Sequence, residues 1–178
     1  MFRHNILKVA LFSSVIFGCA VRSGKVTESR PFAQRLSNYK SVAISVTSSN
    51  PQGERYLDQF KALLSTRLRK SKVFELVTLQ EGGTPHGADL FLKLDLFSVK
   101  EGKAFGVSLI GSNEAEFKFK GEMIEVSGKR SIASFETMGD SLAKSSWGTS
   151  GIQFSDSKIK RALLSACDKL IDYLKKNK

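Results

Sequence analysis

The chain has 178 residues, 41% hydrophobic and 25% charged, with a formal net charge of +11. That length suits one ordinary domain, and the apolar share supports a core that does not depend on disulfides. The surplus of cations says nothing about fold, but it favours anionic partners: nucleic acid, phospholipid headgroups, phosphorylated glycolipid or an acidic polymer. At the start of the chain, Arg3, His4 and Lys8 give a basic beginning, "VALFSSVIF" (Val9 to Phe17) is a short apolar run, and Gly18 precedes Cys19. Basic start, short apolar run and a small residue at the cut describe a secretory signal over residues 1–18. The run falls short of the ~20 apolar residues that a membrane-spanning helix needs.

"Ile16-Phe17-Gly18-Cys19" resembles the lipobox of bacterial lipoproteins, with an aliphatic residue three before the cysteine and a small one directly before it. Phe17 departs from the commoner small residue. The resemblance implies that Cys19 is the lipidation site, that its thiol receives diacylglycerol, and that it becomes the acylated first residue of the mature chain. Each buried methylene contributes about 0.8 kcal/mol, so two or three acyl chains hold the chain to a membrane where one would not. Ala20 follows Cys19 in place of an aspartate, which for a lipoprotein implies the outer membrane, facing the periplasm. An ordinary signal peptide with a chance cysteine at its end is the alternative.

Residues 19–37 read as a lipid-anchored tether. Polar residues dominate, Pro31 interrupts, and Arg22, Lys25, Arg30 and Arg35 outnumber Glu28. Such a basic tether could rest on anionic headgroups; a solvated linker is the expectation. Residues 38–178 read as one α+β domain. "YKSVAISV" alternates as a strand with one buried face. Asn50 before Pro51 caps a helix running from about Gly53 to Ser71, in which Leu57, Phe60, Leu64 and Leu68 keep helical spacing. Arg67, Arg69, Lys70 and Lys72 near its end are read as offsetting the helix dipole rather than as an anion site.

"VFELVTL" is a second strand, and "QEGGTPHG" a turn. "ADLFLKLDLFSV" is the strongest strand, with Leu90, Leu92, Leu94 and Leu96 on one face. Residues 101–114 are glycine-punctuated and read as a long turn or a hairpin tip. "AEFKFKGEMIEV" alternates up to Gly121, where a bulge is expected. "SGKR" is a hairpin turn and "SIASFETM" the return strand. Residues 139–157 read as a long Ser/Gly-rich loop holding Trp147. The last helix runs from about Asp156 to Lys175, and it places Cys167 on the core side as a small hydrophobe.

The chemistry of a catalytic site is sparse. His86 stands alone in a turn. One histidine and one core cysteine cannot supply a usual zinc site, so no metal and no cofactor are expected. Neither His-Glu-x-x-His nor Gly-x-Ser-x-Gly occurs, and no phosphate loop. Asp89 and Asp95 lie six residues apart, on one strand face, where paired acids are ordinary. No catalytic residue is assigned, and the chain is expected not to be an enzyme. Phe-rich strands could stack nucleic-acid bases, but export argues against nucleic acid.

"YKSVAI", "FKALLSTRLRKSKVFELV", "ADLFLKLDLFSVKEGKA", "VSGKRSIASFET" and "IKRALLSACDKLIDYLKKN" resemble, in order, a group of bacterial lipoproteins known only as a domain of unknown function. The opening strand, helix and strand are also similar to the amino-terminal domain of the Tol translocation protein B and to the curli-secretion lipoprotein. These resemblances imply a mixed sheet flanked by helices and a role in envelope binding or assembly. The elements together read as a mixed, mostly antiparallel sheet with two amphipathic helices packed on one face, over Leu90 to Leu96. The expected function is a non-catalytic envelope protein binding another envelope component, such as a protein, an anionic lipid or a glycolipid. The alternative is a subunit of an oligomeric secretion or channel assembly.

Overall fold

A computed structural model describes residues 25–82, 85, 87–101, 114–141 and 158–178. Its core is a six-stranded sheet built from β1 (Lys25–Arg30), β2 (Ser41–Ser48), β3 (Leu76–Leu79), β4 (Leu90–Lys100), β5 (Glu116–Glu125) and β6 (Arg130–Asp140). The order across the sheet is β1-β6-β5-β4-β2-β3. β2 pairs in parallel with both β3 and β4, and the other pairings are antiparallel. A short helix α1 (Pro51–Glu54) and helix α2 (Leu57–Ser71) connect β2 to β3, and α3 (Lys158–Lys176) closes the chain. The sheet is mixed and mostly antiparallel, as the sequence predicts.

Alternation along the strands sets the two faces. Val42, Ile44 and Val46 of β2, Leu90 to Leu96 at even positions of β4, and Phe117, Phe119 and Met123 of β5 are all buried on one face. Both long helices cover that face: α3 lies on β6 and β5, and α2 on β2 and β3, with the helices touching each other. Phe60 of α2 inserts between Phe117 and Phe119, with ring centroids 5.2 and 5.1 Å away. A fully buried ring of this size stabilises by about 3 kcal/mol. The predicted face of α3, from Ile159 through Cys167 to Leu174, is buried throughout. Among the described residues no helix is long and apolar enough to cross a membrane.

The structure corrects four readings. The residues read as a tether are in part domain: Lys25–Arg30 pair with β6, the Phe32 ring packs on Tyr173 at 5.4 Å, and Leu36 is fully buried. The first helix is two helices. Asn50 accepts a hydrogen bond from Gln52 N, as a cap should, but α1 stops at Glu54 and α2 restarts after Tyr56. Gly121 is not a bulge. It pairs regularly with Leu94 and Phe135, and the register shifts lie between Met123 and Ile124 and between Leu96 and Ser98. A Cβ on Gly121 would stand 2.3 Å from the Phe135 ring, so the glycine leaves room for that ring. Finally, Gly139 and Asp140 belong not to the long loop but to β6, which continues through both.

Candidate binding face

The second face of the sheet is covered by none of the described elements. Its rows run across the strands. Lys93 stands opposite Glu122, and Glu122 opposite Ser134. One row along, Thr47 faces Asp95, Asp95 faces Lys120, Lys120 faces Glu136, and Glu136 faces Thr27. Opposite charges alternate between neighbouring strands, an arrangement that favours this register. These side chains border a hollow of about 440 Å³ whose rim carries Lys93, Asp95, Lys120, Glu122, Ser134 and Glu136. Two aromatic rings flank the cations. Lys93 Nζ lies 5.5 Å from the Phe91 ring centre and Lys120 Nζ 5.1 Å from that of Phe97, which holds each ammonium over a π face. The face offers cations, carboxylates and hydroxyls together, on rigid strands.

Asp89 and Asp95, the acids noted on one strand face, serve separate structural ends. Asp89 Oδ2 accepts hydrogen bonds from the backbone N–H of Lys40 at 2.8 Å and of Ser41 at 2.9 Å, while Ser41 Oγ accepts from Asp89 N. The N–H of Lys40, then that of Ser41, hold its carboxyl below the usual range. Asp95 accepts from Ser49 N at 2.9 Å and from Ser49 Oγ at 2.8 Å. One acid therefore fastens the start of β2 and the other its end. They stand about 20 Å apart along a strand, far beyond the reach of a shared proton.

Cys167 is wholly buried, and burial pushes its thiol up to about 12, which leaves it protonated and unreactive. Beside it, Arg67 of α2 forms an ion pair with Asp168 of α3. Burial lowers the Arg67 pKa, yet the pair bridges the two helices. So one member of the basic cluster at the end of α2 is a structural cross-link. Arg69 is a second, donating from Nε at 3.3 Å and Nη2 at 3.2 Å to Val77 O on the edge strand β3. Cys19, His86 and Trp147 lie outside the described residues. Among the described residues no group of three or more His, Cys, Asp or Glu is placed to hold a metal ion.

No protein-family model matches the chain, and no curated protein matches it. Solved structures do. The fold is similar to that of PelC from Paraburkholderia phytofirmans, a dodecamer. A leucine-to-methionine variant of that protein superposes with a TM-score of 0.56 at 15% identity, covering 85% of this chain and 96% of that one. A second crystal form gives 0.55 at 15% identity with the same coverage. A hypothetical protein from Chlamydia trachomatis superposes at 0.45 and 12% identity, covering 78% of this chain and all of that one. At these identities the likeness is one of fold.

Proposed function

We propose that this protein is a lipid-anchored, non-catalytic component of a bacterial cell envelope that binds another envelope component through the sheet face that none of the described elements covers. The observation that carries the binding role is the one-sided packing of that sheet among the described residues. Both long helices lie on one face, and the other holds Lys93, Asp95, Lys120, Glu122 and Glu136 around a hollow of about 440 Å³. The address rests on "Ile16-Phe17-Gly18-Cys19". The two sites have separate roles: Cys19 holds the chain at a membrane, and the sheet face meets the partner.

Replacing Cys19 tests the address. In wild-type cells the chain is expected in the membrane fraction, with a mass that begins at a diacylated Cys19. Cys19→Ala is expected to leave an uncut precursor or a chain released from the membrane. An unchanged mass and unchanged fractionation would remove the anchor.

A second reading, a subunit of an oligomeric envelope assembly, draws support from the fold likeness to the dodecameric PelC. Mass photometry of the detergent-extracted chain separates the two. A species of many copies supports the assembly, and a monomer removes it.

A further inference from the structure

The surplus of positive charge is not spread evenly, because the topology gathers it at one end of the sheet. β2, β3, β4 and β6 begin at that end, β5 finishes there, and α2 and α3 both end there. Hydrogen bonds tie the pieces together. Leu36 N donates to Asn177 O at 2.8 Å, Lys178 Nζ to Lys72 O at 2.7 Å, Glu75 N to Lys40 O at 2.8 Å, and Val126 N to Asp89 O at 3.0 Å. The cations exposed on this pole include Arg35, Lys40, Lys72, Lys129, Lys176 and Lys178. Of the acids nearby, Glu125 is engaged by Tyr39 Oη at 2.9 Å and Arg130 at 3.1 Å, and Asp89 by the backbone of β2. Glu75 and Asp172 remain exposed beside them.

Dipole compensation explains part of the cluster. Lys72 and Lys176 sit at helix C-termini, where a cation is favoured. Arg35, Lys40 and Lys129 lie on loops and turns and offset no helix dipole. Arg35, Lys176 and Lys178 also line a hollow of about 430 Å³, together with Phe32, Gln34 and Asn177. Within it Gln34 Oε1 accepts from Tyr39 Oη at 3.0 Å and Asn177 Nδ2 donates to Tyr173 O at 2.9 Å, which fixes both carboxamides in place. Arg35 and Lys176 supply charge for the acid substituents of a sugar, and the other ends of the two carboxamides, Gln34 Nε2 and Asn177 Oδ1, a donor and an acceptor for its hydroxyls.

The position of the anchor orients this pole. β1 enters the sheet at Lys25, opposite Met138, at the other end of the strands. Residues 20–24 separate Cys19 from Lys25, so the connection spans at most about 20 Å. β4 alone, with 11 residues, is about 36 Å long at ~3.3 Å per residue. On a chain held at Cys19 the basic pole is therefore the end of the sheet far from the anchor. We propose that this pole docks an acidic polysaccharide of the envelope, on the side of the domain turned away from the anchoring membrane. The orientation rests on lipidation of Cys19; the docking surface itself does not.

The test uses the full acylated chain in phosphatidylcholine nanodiscs, titrated with polygalacturonate as the probe and neutral dextran as the control. The wild type is expected to bind the first and not the second. R35E/K129E/K178E is expected to weaken binding about a hundredfold, taking three cations that face a polyanion. K25E/R55E/R161E makes the same change in net charge at exposed positions elsewhere, and it is expected to cost less than about threefold. All six positions are exposed, so coincident thermal melts check that both variants fold. Equal losses in the two variants, or no binding by the wild type, would overturn the proposal. So would blockade by phosphatidylglycerol added to the discs, because the pole would then face its own membrane. The mass of the chain separates the two ideas. A chain without lipid that binds polygalacturonate through the pole loses only its orientation, whereas an acylated chain that fails to bind loses the docking surface.

Discussion

The two faces of the sheet are made by the same strands under opposite rules. On the covered face the alternate residues are mostly apolar, and the helices come close enough to forbid a methyl group. At Gly139 a Cβ would lie 2.2 Å from Ala162 O and 2.4 Å from Ala166 N, backbone atoms of α3. On the uncovered face, at the intervening positions, charges alternate between strands and the cations rest over phenylalanine rings. The first face is specified by volume and the second by charge. Substitutions should therefore separate: on the covered side they act on stability, and on the open side on binding.

The largest expected effect belongs to Gly139. Replacing it with valine pushes side-chain atoms into the backbone of α3, which cannot rotate aside. The cost is expected to be about 3 kcal/mol or more, read as a lower urea midpoint. A loss below about 1 kcal/mol would mean that α3 does not sit on β6 as described.

A smaller effect is expected where the two rules meet, at the ends of β2. Asp89→Ala removes the acceptor for Lys40 N and Ser41 N and is expected to cost about 1 kcal/mol at neutral pH. The pH dependence has a fixed sign. The folded-state pKa of Asp89 is depressed, chiefly by the Lys40 N–H. Its contribution is therefore complete above the unfolded value of about 3.9 and is lost as pH falls through the folded one. Wild type and variant are expected to differ in melting temperature at pH 7 and to converge in that acid range. A difference that grows on acidification would contradict the assignment.

Much of this plan was legible in the sequence, for physical reasons. The face of α3 and the leucines of β4 follow from periodicities of 3.6 and 2, which burial on one side imposes locally. β1 was hidden because an edge strand needs few apolar residues: "KVTESR" carries Val26 alone, and only that residue is even half-buried. Asp89 and Asp95 looked like a pair because their partners, Lys40, Ser41 and Ser49, lie more than forty residues away in the chain. Gly139 reads as a loop residue until the helix that crosses it is known. The basic pole shows no run in the sequence at all, since Arg35, Lys129 and Lys178 meet only through the topology.

The central claim is that the uncovered face is the one that meets a partner. A photo-crosslinking residue at Lys93 on that face, compared with one at Asp58 on the exposed side of α2, tests it in intact cells. Both positions are exposed, so either variant should fold and reach the envelope. A discrete crosslinked envelope component is expected from position 93 and none from position 58, with the product lost when Lys120→Glu is added. A product from position 58 alone, or equal products from both, would contradict it.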